Sequence, residues 1–215
     1  LSLICFIFRQ SNVPEPLIPL YIFKNWMFST ANFTHLMVGG SLIIGMVTIP
    51  LMADTILGHS TLEGGLRLMR MTVAIPVGAV IGGLFCQRLD YRLPTMLGLM
   101  MIAIGFGFMS YWGVDIIDPA MTIHLLITGF GFGLIVAPIT LAATSFVDAE
   151  YIGTAAALVT AMRLLGMTFG LAALASWGMS KFHILATGLP FPFESLDQYP
   201  GSTEQQFREF ETGLT

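Results

Sequence analysis

Charge is what this sequence has least of. Of its 215 residues, 10% are Asp, Glu, Lys or Arg and 55% are hydrophobic, and the mean hydropathy is +0.79. A water-soluble domain carries about 25% charged residues, because its surface must be solvated. Charge this scarce excludes a water-facing shell and makes lipid the solvent for most of the chain. The net charge of -4 includes no basic stripe, which excludes a nucleic-acid partner. Cysteine is scarce too: Cys5 and Cys86 sit far apart in apolar runs and read as small buried hydrophobes. No CxxC or HExxH spacing occurs, so no metal or other cofactor is implied. Leu1 to Phe8 is apolar but far shorter than the ~20 residues of a span, and it lacks the basic start and cleavage site of a signal peptide. The simplest reading is a fragment that begins inside the end of an earlier helix.

What is present is a series of long apolar blocks. Residues 25–53, 71–87, 93–114 and 119–147 carry no charge, and 151–180 carry Arg163 alone. At ~1.5 Å per residue, ~20 residues cross the hydrocarbon core. Spans are expected near 32–53, 67–87, 94–112, 120–143 and 153–178, with Arg67 and Arg70 snorkelling from the first turn of the second. Backbone polar groups in lipid must pair internally, so only helices or closed barrels cross. The blocks lack the alternating ~10-residue segments of a barrel. Trp26, Trp112 and Trp177 fall at span ends, where amphipathic rings favour the headgroup layer. The fold expected is all-α, a polytopic bundle of about five complete spans. Its divisions are residues 1–30 (the end of a preceding helix and a linker), 31–180 (the bundle) and 181–215 (a polar loop). In that last segment Pro190, Pro192 and Pro200 break the chain, and Ser202 with Gln205 offers an N-cap for a short helix through Phe210.

Arg163 is the most informative single residue. It lies ten residues past Gly153, about 15 Å into its helix and near the bilayer centre. A charge there costs several kcal/mol and turns toward a partner or a watery cavity. Thr160, Gly166, Met167 and Gly170 share its face, so Arg163, Thr160, Gly166 and Gly170 are the candidate cavity residues. The plainer reading is a structural arginine paired with a carbonyl or an interfacial acid. Asp54, Glu63, Arg67 and Arg70 cluster where spans one and two meet and are candidates for an outer vestibule; ordinary interfacial charges is the alternative, and the commoner one. His124 sits one turn into span four and reads as a hydrogen-bonded histidine before a proton relay. Asn32-Phe-Thr34 is a glycosylation sequon, discounted because it opens a span. Gly78 and Gly82, Gly129 and Gly133, and Gly166 and Gly170 are small-xxx-small pairs that let helices approach closely. Lysine and arginine counts tie across the two sides, so charge does not fix orientation.

Local motifs carry a resemblance. Gly82-Gly-Leu-Phe-Cys-Gln-Arg-Leu-Asp-Tyr-Arg92 resembles the G-x-L-x-D-R-x-G-R-R loop of the major facilitator superfamily, with Gly83, Arg88 and Arg92 in register and Gln87, Asp90 and Tyr91 departing from it. Pro16 to Phe28, Ser60 to Arg70 and Arg163-Leu-Leu-Gly166 are similar to stretches of its fourteen-helix drug:proton antiporter branch. The resemblance implies the C-terminal half of such a transporter in a bacterial inner membrane, with residues 9–30 cytoplasmic and Gly83, Arg88 and Arg92 in a cytoplasmic gate. It implies a small-molecule substrate exported against proton entry by alternating access, and partnership with the lipid bilayer and a missing N-terminal half. No carboxylate lies deep inside the five spans, so proton coupling comes from the resemblance and not from these residues. A membrane-embedded enzyme would need His, Asp or Glu clusters, which the spans lack. A non-transporting scaffold would need no cavity around Arg163.

Overall fold

A computed structural model describes residues 20–188, apart from 59, 114, 115 and 146. The sequence expectations for the start of the linker, for Cys5 and for the helix at 202–210 lie outside the described residues. Among the described residues five α-helices follow one another: α1 (Trp26–Thr55), α2 (Thr61–Arg88), α3 (Arg92–Met109), α4 (Asp118–Thr144) and α5 (Ile152–Gly188). Short 3-10 turns at Leu20–Lys24 and Ala149–Tyr151 precede α1 and α5. All five helices are long and apolar enough to cross a membrane, so the all-α, five-span expectation holds. One compact unit runs to Leu171 and a second starts at Ala172, where α5 continues to Gly188. The bundle and the sites built on it belong to the first unit.

Helix ends follow from local chemistry. The Asn25 side chain accepts from the Met27 N–H at 3.0 Å and starts α1 ahead of the expected span. Ser60 and Glu63 form a reciprocal capping box that starts α2. Pro119 follows Asp118 at the head of α4, where proline lacks only an N–H that would be unpaired anyway. Within the spans, hydroxyls turn back on their own helices. Thr34, Thr128 and Thr140 each donate to the carbonyl four residues earlier at 2.7 to 2.8 Å, which removes a polar group from lipid.

The interior is organised around α4. Of its most apolar stretch 61% is buried, against 22% for α2 and for α3. Large apolar side chains elsewhere point outward (Phe33, Val80, Met96 and Phe169 are 64%, 64%, 67% and 64% exposed) as lipid contact requires. The paired glycines explain the close packing of α2 on α4. A Cβ at Gly78 would strike the Phe130 carbonyl, and one at Gly133 would strike the Ile75 carbonyl. Pro138 has no N–H to donate to the Leu134 carbonyl one turn back, and that carbonyl abuts Gly82. A bare α-carbon on α2 therefore accommodates the group that a proline on α4 releases. Gly166 and Gly170 pack against Leu36 and Gly40, which makes a second small-residue seam between α5 and α1.

Candidate transport site

The antiparallel order of the helices sorts the charged residues to two ends. Arg88, Asp90 and Arg92 mark one end, with Asp148 and Glu150 of the α4–α5 connection. Asp54, Glu63, Arg67, Arg70 and Asp118 mark the other.

At the Arg88 end, Arg88 closes α2 exposed, and Arg92 opens α3 with its Nε 3.8 Å from Asp90. Both groups of that pair are more than half exposed, so the interaction is weak. Gly83, the motif glycine, has only the Ala137 methyl near it at 3.9 Å, while its neighbour Gly82 makes the backbone contact with α4. A cavity of about 250 Å³ opens here, lined by Met27, Thr30, Thr34, Tyr91, Arg92 and Met96 among others. The Tyr21 hydroxyl donates to Asp148 at 3.2 Å and ties the turn before α1 to the α4–α5 connection. Desolvation and this carboxylate raise the Tyr21 pKa above its ordinary value, so the phenol keeps its proton and remains a donor.

At the other end, Arg70 donates to Asp118 at 2.7 Å and to the Thr122 hydroxyl at 2.5 Å, bracing α2 against α4. Arg67 donates to the Met121 sulfur at 3.2 Å. Glu63 belongs to the cap of α2, and Asp54 is exposed in the last turn of α1. Of the four expected vestibule charges, the two arginines therefore reach from α2 to residues of α4, while Glu63 lies in the first turn of α2 and Asp54 in the last turn of α1. Asp118 and Thr122 were not anticipated, although Asp118 before Pro119 could have been read as a helix start. His124 accepts from the Trp112 indole at 3.0 Å and stacks on Phe108 at 4.9 Å, in keeping with a hydrogen-bonded membrane histidine. The side chains of Arg70 and Asp118 are 32% and 54% exposed. A double-mutant cycle with Arg70→Gln and Asp118→Asn is therefore expected to give a coupling energy of about 0.5–1 kcal/mol that falls with added salt. A coupling indistinguishable from zero at low salt would remove this brace.

Midway between the ends lies Arg163. Its backbone carbonyl faces Gly39, where a Cβ would collide with it, so α1 and α5 touch through main chain at this level. Thr160 is exposed and donates to the Ala156 carbonyl at 3.1 Å. Gly166 and Gly170 are buried in the α1–α5 seam. Across that seam stand Asn32 and His35, 3% and 2% exposed. The Asn32 amide donates to the Phe28 carbonyl at 2.8 Å, which leaves its oxygen without a partner. Neither His35 ring nitrogen has a hydrogen-bond partner, and the Val159 backbone is close by. The Arg163 guanidinium lies within electrostatic range of the ring. The sequence held a signal for this pair, since Asn32, His35 and Gly39 recur at i, i+3 and i+7 on one face of an uncharged run.

No family model matches the chain. It is similar to curated mycobacterial proteins named triacylglyceride transporters. One, from Mycolicibacterium hassiacum, is 36% identical over 166 residues, which cover 73% of this chain and 31% of that protein. One from Mycobacteroides abscessus is 31% identical over 192 residues, 85% of this chain and 37% of that protein. One from Mycobacterium tuberculosis is 30% identical over 173 residues, 75% of this chain and 33% of that protein. The chain thus spans about a third of the length of the curated relatives it matches. These matches overturn the assignment to the drug:proton antiporter branch of the major facilitator superfamily. The motifs behind it have local causes that any membrane helix bundle shares. Asn25 caps α1, Ser60 and Glu63 cap α2, Gly82 fits a carbonyl, and Arg88 and Arg92 stand at helix ends. With five apolar helices and relatives named as transporters rather than enzymes, the chain is a multi-pass protein of the cell membrane.

Proposed function

We propose that the chain forms part of a secondary transporter that moves lipophilic molecules across the cell membrane, with triacylglycerides as the substrate class. The observation that carries this reading is the similarity, over most of the chain, to proteins named triacylglyceride transporters. The site is compatible with such a substrate. A triacylglyceride offers long apolar chains and a small ester centre that accepts hydrogen bonds without carrying charge. Apolar flanks with one mid-membrane donor, Arg163, suit that division better than a carboxylate-rich cavity would. In this proposal Arg163 and Thr160 face the transport path, and Gly166 and Gly170 hold α5 against α1. Arg88, Arg92 and Gly83 belong to the gate at one end, and Asp54, Glu63, Arg67 and Arg70 to the vestibule at the other. Transport proceeds by alternating access, outward and coupled to proton entry, with a further helical half completing the path.

The test is lipid movement in proteoliposomes holding the full-length transporter. A triacylglyceride with one short fluorescent acyl chain is loaded inside, and its arrival in the outer leaflet is followed by quenching with external dithionite. Expected is transfer faster than in protein-free vesicles, and faster again under an imposed pH gradient. Rates equal to those of protein-free vesicles would sink the proposal.

A further inference from the structure

Among the described residues, few side chains inside the spans can exchange a proton. Between Asn25 and Ala53 there is His35, between Met71 and Gln87 the Cys86 thiol, between Leu93 and Met109 none, and between Pro119 and Ser145 His124. Between Ile152 and Ser180 the one charged side chain is Arg163, which stays protonated in proteins. His124 is engaged by Trp112 and Phe108, one turn from the start of α4. Cys86 lies in the last turn of α2. His35 differs from both. It is the tenth residue of the thirty-residue α1, sealed from solvent, and has two ring nitrogens without partners.

An orphaned polar ring in a membrane interior is costly unless another state of the protein uses it. Its surroundings indicate which state. The apolar cluster shared by α1, α4 and α5 includes Phe28, Val38, Ile135, Ile139 and Val159, and the ionisable group packed against it is the Tyr151 phenol. Among the described residues, the charge facing His35 is Arg163 on α5. Two cations in one low-dielectric site repel each other strongly. Around Gly39, Gly166 and Gly170 the seam between the two helices is main chain against main chain, with no side chain interlocked across it at those positions.

We propose that His35 is the proton-binding group of the transport cycle, loaded when the α1–α5 seam parts and unloaded when Arg163 closes on it. The proposal deepens the proton-coupled reading given above and rests on it. A water-borne proton adds to the unprotonated nitrogen of the neutral ring, and the imidazolium it forms excludes the Arg163 guanidinium from the seam. When the proton leaves to the opposite side, the charge conflict ends and the seam closes as the structure shows it. Occupancy of His35 by a proton and approach of Arg163 are thus mutually exclusive. The two helices thereby respond to the proton gradient without any carboxylate between them.

The full-length transporter in proteoliposomes tests this with the fluorescent triacylglyceride, with and without an imposed pH gradient, wild type beside His35→Gln. Expected is that the gradient accelerates wild-type transfer, while H35Q still transfers the lipid without a gradient and loses the acceleration. H35Q that responds to the gradient as wild type does would overturn the assignment of His35 and leave proton coupling intact. Wild type without any gradient response would overturn proton coupling itself, and this inference with it. If H35Q loses gradient-free transfer as well, His35→Asn is measured in the same way. Loss of that transfer in both variants would make His35 a structural residue and overturn the proposal.

Discussion

Replacing Gly133 with leucine abolishes recovery of a folded, monodisperse protein, whereas leucine at Gly107 leaves recovery unchanged. The two glycines lie on neighbouring helices and look alike in sequence, but a Cβ at Gly133 would meet the Ile75 carbonyl, the Ala79 amide and the Gly78 α-carbon, while a Cβ at Gly107 meets nothing within 4 Å. All three obstacles at Gly133 are backbone of α2, so no rotamer change relieves them. The whole of α2 would have to shift away from α4, the helix on which the interior is built. Overpacking that side-chain movement can absorb costs about 1–3 kcal/mol, and this clash exceeds that range because main chain must move. Gly107 is exposed on α3, and leucine there improves helix propensity by a few tenths of a kcal/mol or more. Size-exclusion profiles and thermal denaturation in detergent read both variants. Wild-type behaviour of G133L would mean that α2 and α4 do not meet as described.

That contrast shows which features were legible in the sequence. The five helices were, because hydrocarbon allows no other use for uncharged runs of this length. The glycine pairs at 78 and 82, 129 and 133, and 166 and 170 were recognisable as packing devices. Their partners were not: spacing along one helix does not say which neighbour it faces. Gly166 and Gly170 were expected beside Arg163 on a cavity wall, and they are on its helix, but the structure turns them to Leu36 and Gly40. Arg70 read as a vestibule charge, and its bond to Asp118 joins residues 48 apart in sequence. His35 went unremarked because the face it shares with Asn32 and Gly39 names no partner for it. It stands out only once burial and the lack of a partner are known. The resemblance to a drug antiporter failed for a related reason. Its short motifs encode caps, close approaches and interfacial cations, which record helix ends in a bilayer rather than substrate.

The largest functional effect is expected at Arg163, and it should be opposite in sign to the effect on stability. A guanidinium at mid-membrane costs about 2.5–3.5 kcal/mol on insertion scales, so Arg163→Ala should insert and withstand heating at least as well as wild type. The backbone contact with Gly39 survives the change, because it is made by the Arg163 carbonyl and not by the side chain. If the charge is retained for transport, R163A should nonetheless lose triacylglyceride transfer by about tenfold or more, the effect of withdrawing roughly 1.4 kcal/mol from the rate-limiting step. Arg163→Lys keeps the charge but loses the planar fork of donors, and an intermediate rate is expected. A purely structural arginine would give the reverse pattern. R163A would then denature earlier, and whatever protein stayed folded would transfer lipid at the wild-type rate. Melting curves and dithionite-quench rates on the same preparations separate the two readings, because a stable and inactive R163A requires a charge held in place for transport rather than for the fold.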